Sequence, residues 1–220
     1  TSGTTGKPKG VMVTHLCLAN FCAWVNEYYS MKAGEGMLSC SNFIFDASVF
    51  ELFPPFFNGG FLAVLPTELK LQMDRVHDYI EQHNVSHMIM TTQLAEQFSA
   101  CRDNSSLKTL AFGGEAMRPV ALRSWKSYNA YGPTECTVMA TSFPLDEESA
   151  KTSAPIGVPL ANLKAYIVDG EGALCPIGVP GELCFAGRQV ARGYLNKPEV
   201  TAKAFVENRW SEGEFDKVMY

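Results

Sequence analysis

The chain has 220 residues, of which 46% are hydrophobic and 19% are charged, and its net charge is −5. This composition is typical of a globular protein with a buried core, and the acidic excess argues against a nucleic-acid-binding surface. The longest apolar run, LCLANFCAWV, is far shorter than the roughly 20 residues that cross a bilayer, so we expect no membrane span. Seven cysteines without a CxxC pair favour reduced thiols in a cytoplasmic protein over a disulfide framework or a zinc site.

Helices and strands alternate in the first two thirds of the chain. The pattern predicts helices over HLCLANFCAWVNEYY, with Thr14 as N-cap, and over QMDRVHDYIEQHN, TTQLAEQFSAC and MRPVALRSWK. Another helix begins at DASVFELF, and Pro54 and Pro55 should end or kink it. Predicted strands are MLSCSN, FLAVLP, SHMIM and LKTLAF. This alternation predicts a doubly wound, mainly parallel sheet flanked by helices.

The amino-acid composition of the sequence changes near residue 151. Residues 151–220 are rich in Gly and Pro, with short β-branched runs and a DGEG turn. We therefore expect an α/β core over residues 1–150 and a small β-rich subdomain over residues 151–220. Pro198 is suited to the first turn of a short helix, PEVTAKAF.

The chain opens on TSGTTGKPKG, a segment of glycines, hydroxyl side chains and lysines. Glycines let several backbone N–H groups converge on one anion, and hydroxyl and ammonium groups add donors, so the segment is suited to binding phosphate. It is not a P-loop, because two residues rather than four separate Gly3 from Gly6. A solvated polar segment is the alternative when these residues are taken alone.

Four further segments follow in order: FDAS (45–48), GGE (113–115), NAYGPTE (129–135) and GELCFAGRQVARGYLNKPEVTAKAF (181–205). Together with the opening segment, they make the chain resemble the adenylate-forming enzymes, and specifically the adenylation domain of nonribosomal peptide synthetases, over essentially its whole length. The opening segment is shared with acyl-CoA ligases and luciferases. FDAS, NAYGPTE and ARGYLNKPEVTAKAF are more selective for the branch that activates amino acids.

This resemblance implies a reaction, its cofactors and its partners. Such enzymes join an amino-acid carboxylate to the α-phosphorus of ATP with Mg²⁺, release pyrophosphate, and pass the acyl group to the phosphopantetheine thiol of a carrier domain. Carrier and condensation domains of the same synthetase are the implied partners. The loop that closes over the β- and γ-phosphates would comprise Thr1, Ser2, Gly3, Thr4, Thr5, Gly6 and the catalytic Lys9.

The resemblance also assigns the nucleotide site. Asn129 would read the adenine edge, Tyr131 would stack on the ring, and Thr134 would meet the α-phosphate, while Glu135 would hold Mg²⁺. Gly132 belongs to the same segment. A Gly-Pro turn between strands is the alternative to a nucleotide site, and it explains the glycine but not the polar and aromatic residues around it. Two further residues would line the adenine slot, Gly114 and Glu115.

Asp46 would define the substrate class. A carboxylate in the apolar segment FIFDASVF is costly to bury unless it is paired, and the resemblance pairs it with the α-ammonium of an amino acid. A helix N-cap is the alternative and is compatible with that role. The positions that would read the substrate side chain carry no charge, which favours an apolar amino acid of Leu or Phe size. Core packing is the better explanation of each of these residues taken singly, so the inference rests on the whole set. These positions are Ala47, Phe50, Ile89, Ala111, Gly113, Ala130, Val138 and Met139.

Some features depart from the pattern or leave alternatives open. TTQLAE stands where a proline pair is usual, and the stretch from Gly114 to Asn129 is shorter than usual, so an element there should be trimmed. The sequence stops before the ribose-binding aspartate and the C-terminal lysine of the family, so we expect these 220 residues alone to be inefficient in catalysis. An acyl- or aryl-CoA ligase, an aminoadipate-reductase-type domain and a degenerate, non-catalytic module are the competing interpretations.

Overall fold

The computed structural model describes residues 8–220. The chain folds into two compact units that interleave along the sequence. We call Cys22–Gly132 with Thr141–Val158 the sheet unit. The antiparallel unit consists of residues 8–21, 133–140 and 159–220. None of the described helices is both long and apolar enough to cross a membrane.

A seven-stranded sheet forms the centre of the sheet unit. Its strands, in chain order, are β1 (Gly36–Ser39), β2 (Phe61–Val64), β3 (Val85–Thr91), β4 (Thr109–Gly113), β5 (Lys126–Tyr131), β6 (Thr141–Pro144) and β7 (Val158–Pro159). The spatial order is β2-β1-β3-β4-β5-β6-β7. The first five strands in this order are parallel, and β6 is antiparallel to β5. The predicted mainly parallel sheet is therefore confirmed.

The described helices are α1 (His15–Tyr28), α2 (Ala47–Phe57), α3 (Met73–Gln82), α4 (Thr92–Cys101) and α5 (Pro198–Ala204). The predicted N-cap of α1 is confirmed, because the Thr14 hydroxyl accepts a hydrogen bond from the Cys17 N–H at 3.2 Å. In α5, Pro198 occupies the first turn, as predicted. One face of the sheet packs on α3 and α4 in a core that includes Met88, Leu110 and Phe98.

Two predictions of local structure require correction. Of the two effects predicted for Pro54 and Pro55, a helix end is wrong, because α2 runs through both prolines to Phe57. These prolines are buried and α2 packs against β1 and β2, so tertiary packing outweighs the two missing helical hydrogen bonds. The segment MRPVALRSWK forms no helix, since residues 114–125 are irregular and Lys126 begins β5. Its Pro119 cannot donate a hydrogen bond, while Val120 donates instead to the carbonyl of Ala150.

The antiparallel unit contains a second sheet. Its strands are β8 (Leu163–Val168), β9 (Glu182–Gly187), β10 (Val206–Glu207) and β11 (Val218–Met219), in the order β10-β11-β9-β8. The predicted DGEG turn joins β8 to the chain that leads to β9, and the Asp169 carboxylate accepts the N–H groups of Glu171 and Ala173 at 2.9 Å each.

Stability should fall as the pH drops below about 6.5, the ordinary pKa of histidine. His77 is fully buried, and burial lowers its pKa. Its Nε2 lies 3.0 Å from the Phe98 carbonyl and its Nδ1 lies 3.2 Å from the Asn104 amide nitrogen, an arrangement that suits the neutral ring. Below this pH the unfolded chain therefore binds a proton at His77 that the folded chain does not bind. The free energy of unfolding falls by up to about 1.4 kcal/mol per pH unit as a result.

Chemical denaturation between pH 5 and pH 7 measures this effect. Replacing His77 with Gln should reduce the pH dependence of the free energy of unfolding, whereas replacing the exposed His83 with Gln should leave it unchanged. Equal pH slopes in the His77→Gln variant and the wild type would contradict the assignment.

Candidate functional site

Four predicted pocket residues lie on one face of three neighbouring strands. Ile89 of β3 pairs in register with Ala111 of β4, and Gly113 of β4 pairs with Ala130 of β5. Side chains two residues apart share a face of a strand, so these four positions face the same way near the carboxyl ends of parallel strands. Ligands of open α/β sheets bind at such ends. A side chain at Gly113 would place its Cβ 2.0 Å from the Ala130 carbonyl oxygen, so the strands require glycine there.

Aromatic side chains cover part of the same face. Tyr128 lies two residues before Ala130 on β5, and its ring centroid is 4.8 Å from that of Tyr29. The Tyr29 ring in turn lies 5.9 Å from Phe50 of α2, a predicted pocket residue that is 1% exposed. The structure thus brings Phe50 to the face of the sheet that carries Ala130.

Asp46 lies at the N-cap position of α2, directly before the half-buried Ala47. Its side chain makes no capping hydrogen bond, so the hydrogen bond that the N-cap alternative requires is absent. The carboxylate is half-buried, and no residue of the described part of the chain forms a hydrogen bond or ion pair with it. A half-buried carboxylate without a protein partner is available to a cationic ligand.

The predicted adenine-binding residues lie at the ends of β4 and β5. Asn129 is buried, and its amide nitrogen donates to the Pro155 carbonyl at 2.9 Å. Tyr131, at the end of β5, is 40% exposed. Gly114 and Glu115 follow β4 and are exposed, and Gly114 has a φ of +91°, which favours glycine. Gly132 is half-buried.

Glu135 belongs to the antiparallel unit and lies in a network of phenols. It is 4% exposed, and its Oε1 accepts a hydrogen bond of 2.6 Å from the Tyr194 hydroxyl. Tyr220 hydrogen-bonds within the same group. Burial and the hydrogen bond to Glu135 raise the pKa of Tyr194, so this phenol stays protonated and remains a donor.

Tyr194 is itself held by the elements around it. Its N–H donates to the Thr201 hydroxyl of α5 at 2.9 Å, and the Lys9 ammonium lies 4.1 Å from its ring centroid. The backbone of residues 10–12 pairs with that of residues 192–195. The segment after the opening motif is thereby fixed beside the residue that contacts Glu135.

Gln189 holds the turn that carries two further predicted pocket residues. This turn contains the half-buried Val138 and the buried Met139, and Val138 has a φ of +71°. The fully buried Gln189 donates to the carbonyl of Met139 at 2.8 Å, and its own carbonyl accepts the Thr137 hydroxyl at 2.8 Å. Thr134, at the start of the same segment, is half-buried.

Sequence reasoning missed Tyr194 and Gln189, as well as the buried Glu51 of α2. Tyr194 is 59 residues from Glu135, and such a long-range hydrogen bond leaves no periodic pattern in one sequence. For Glu51, the signal available was an acidic residue within the apolar run SVFELF, because buried polar groups are normally hydrogen-bonded. Gln189 has arginines close by in the sequence and gives no such signal. The predicted loop residues Thr1, Ser2, Gly3, Thr4, Thr5 and Gly6 lie outside the described residues.

The described residues suit Mg²⁺ only if the phosphates of a bound nucleotide supply most of its ligands. Within residues 8–220, no group of three His, Cys, Asp or Glu side chains suits a metal ion. Mg²⁺ is usually bound by one or two carboxylates together with substrate phosphates and water. A carboxylate has about four lone-pair positions, so the contacts with phenols do not exhaust Glu135. The chain therefore suits a cation that arrives with a nucleotide.

Comparisons with known proteins agree with this fold. Residues 1–195 match the family model described as AMP-binding enzyme. Bacitracin synthase 1 of Bacillus licheniformis is 42% identical over 97% of this chain and 4% of its own length. Surfactin synthase subunit 2 of Bacillus subtilis is 43% identical over 97% of this chain and 6% of its own length.

Solved structures match the whole fold. The N-terminal subdomain of Klebsiella oxytoca NpsA in complex with 3-hydroxybenzoyl-AMSN has a TM-score of 0.85 and 26% identity, over 100% of this chain and 58% of its own. A four-domain nonribosomal peptide synthetase bound to AMP and glycine has a TM-score of 0.84 and 28% identity, over 97% of this chain and 16% of its own.

The fold and the matched family are those of an adenylate-forming α/β enzyme. The chain belongs to the AMP-binding enzyme family of adenylate-forming ligases, and peptide synthetases are among its relatives. The family predicted from the five motifs is confirmed. The chain spans about 4 to 6% of the length of the two curated relatives.

Proposed function

We propose that the protein activates an apolar α-amino acid with ATP, forming an aminoacyl-adenylate and pyrophosphate for nonribosomal peptide synthesis. The observation that carries this proposal is the half-buried carboxylate of Asp46, which has no partner among the described residues. A substrate ammonium would neutralise it and would be held at the start of α2. The resemblance of FDAS to amino-acid-activating enzymes supports the same assignment.

The apolar character of the substrate follows from the strand face. Ile89, Ala111 and Ala130 are buried there and offer no charge or side-chain donor. A charged substrate side chain would lose its hydration without gaining a partner, so such a site rejects it. One methylene is worth only about 1–3 kcal/mol in an apolar pocket, so we expect modest discrimination among Leu, Phe and similar side chains.

The reaction needs positioning and charge stabilisation more than covalent help from the protein. A carboxylate oxygen of the amino acid attacks the α-phosphorus of ATP, and pyrophosphate leaves. We assign the adenine to Asn129 and Tyr131, the α-phosphate to Thr134 and the phosphate tail to Lys9. Mg²⁺, when bound, neutralises phosphate charge, and Glu135 is the carboxylate that would hold it.

The second half-reaction transfers the acyl group. The phosphopantetheine thiol of a carrier domain attacks the acyl carbon of the adenylate, and AMP leaves. Carrier and condensation domains are accordingly the proposed partners, in a cytoplasmic synthetase. The names of the relatives, which are synthases of bacitracin and surfactin, support this context.

Activation of an aryl acid is the second candidate. The matched NpsA subdomain holds 3-hydroxybenzoyl-AMSN, whose acyl group is aromatic. An aryl acid such as 3-hydroxybenzoate has no α-ammonium and would leave Asp46 unpaired. The acid at this position therefore favours an amino acid.

Pyrophosphate exchange in the natural, full-length protein tests the proposal. The panel should include Leu, Phe, Val, Asp, Lys and 3-hydroxybenzoate, with a reaction without any acid as the control. We expect exchange with the apolar amino acids well above that with Asp or Lys. Exchange with 3-hydroxybenzoate alone would establish the aryl-acid candidate, and exchange with none of the panel would refute activation of these substrates.

A further inference from the structure

Glu51 of α2 is a buried carboxylate to which the proposed chemistry gives no role. It is 1% exposed, and its oxygens accept hydrogen bonds from the loop that joins β1 to α2. The N–H of Ser41 lies 2.9 Å from Oε1 and 3.2 Å from Oε2, and the N–H of Cys40 lies 3.2 Å from Oε2. The hydroxyl of Ser39 donates to Oε2 at 3.2 Å. One carboxylate thus collects two backbone donors and one hydroxyl.

The thiol of Cys40 adds a fourth donor. Its Sγ lies 3.5 Å from Oε1 of Glu51, and burial together with the charge of Glu51 raises its pKa, so the thiol stays protonated. A buried carboxylate needs such an array, because an ion without partners is costly to bury.

The rest of the loop is held by local hydrogen bonds. The Asn42 side chain accepts the N–H of Ile44 at 3.0 Å, and the Ser48 hydroxyl donates to the Phe45 carbonyl at 2.7 Å. Phe45 and Ile44 are 66% and 84% exposed, so packing does little to hold this segment. The carboxylate of Glu51 therefore attaches the loop to the buried side of α2, beside the contact of the Cys40 thiol with the Ile89 carbonyl at 3.6 Å.

Asp46 lies at the end of this loop. It begins α2 and its own side chain has no partner among the described residues, so its position depends on the helix and on the loop that enters it. Glu51 belongs to that helix and anchors that loop. A catalytic or binding group is effective when neighbouring groups hold it in its productive geometry.

We propose that Glu51 is a positioning residue that anchors the loop of residues 40–46 to the end of β1 and to α2, and thereby sets the carboxylate of Asp46 for the substrate ammonium. This inference rests on the proposed function. Glu51 does not touch substrate in this role. Its loss should weaken binding of the amino acid and leave binding of ATP in place.

The test replaces Glu51 with Gln in the natural, full-length protein, with the exposed Glu68→Gln as the matched control. An amide side chain keeps the size but offers one acceptor oxygen where the carboxylate offers two. We expect KM for the amino acid to rise about 10-fold, with kcat and KM for ATP changed by less than about 3-fold. Glu68→Gln should match the wild type. If Glu51→Gln does not fold, the shorter carboxylate of Glu51→Asp is measured in its place, with a smaller rise in the same KM.

Amide hydrogen exchange of the unliganded protein provides a readout that does not depend on activity. Faster exchange at Cys40 and Ser41 in the Glu51 variant, together with the selective rise in KM, supports the proposal. Unchanged exchange at both amides overturns it, as does an equal rise in KM for ATP. If the wild type activates no amino acid, the proposed function fails, and the assignment of Glu51 to amino-acid binding fails with it. Amide hydrogen exchange still shows in that case whether Glu51 anchors the loop.

Discussion

Replacing Asp46 with Asn should reduce kcat/KM for the amino acid by about 100-fold or more, the scale expected when one partner of a buried charge pair is removed. The amide has almost the same shape as the carboxylate but no charge, so the substrate ammonium would lose its counter-ion on leaving water. Binding of ATP should change little, because no adenine or phosphate contact is assigned to Asp46. Pyrophosphate exchange at varied amino-acid and ATP concentrations measures the two effects separately.

A comparison with deaminated substrate sharpens this test. The wild type should strongly prefer leucine to 4-methylpentanoate, which lacks the amine, and Asp46→Asn should lose most of that preference. The exposed acid Asp78, which pairs with Arg102 at 2.8 Å, provides a control in the same unit. Asp78→Asn should behave as the wild type, because exposed ion pairs contribute little. A preference for leucine that survives in Asp46→Asn would rule out the proposed pairing.

Replacing Glu135 with Gln should lower the maximal rate of exchange by about 100-fold and raise the Mg²⁺ concentration for half-maximal rate by about 10-fold or more. Mg²⁺ prefers anionic oxygen ligands, and the neutral amide is a poorer one. The change also removes the charged acceptor of the Tyr194 hydroxyl. Exchange measured over a series of Mg²⁺ concentrations at fixed ATP gives both numbers.

Two companion variants separate the role of Glu135 from a general loss of structure. Tyr194→Phe removes the hydroxyl that holds Oε1 and should give a shift in the same direction of about 10-fold at most. The exposed Glu182→Gln, in the same unit, should have no effect. An unchanged Mg²⁺ dependence in Glu135→Gln would contradict the assignment of this residue to the cation.

Local signals predicted much of the fold. Thr14 is a polar residue directly before an apolar helical pattern, and Pro198 opens a short one, so both helix starts could be located from neighbouring residues. The buried strand β3 was equally clear from its apolar run. Where the decisive contacts are distant, the prediction failed. α2 continues through Pro54 because it packs on strands, and the segment after Gly113 is irregular because Val120 bonds to Ala150.

Short motifs and local periodicity were enough to identify the family, the alternation of strands and helices and the residue types available for a nucleotide and an amino acid. That Ile89, Ala111, Gly113 and Ala130 share one face became clear only from the fold, since it depends on the register of three strands. The fold also shows that Glu135 is held by Tyr194 and the β1–α2 loop by Glu51. Such contacts depend on how distant segments pack, and one sequence carries no local pattern for them.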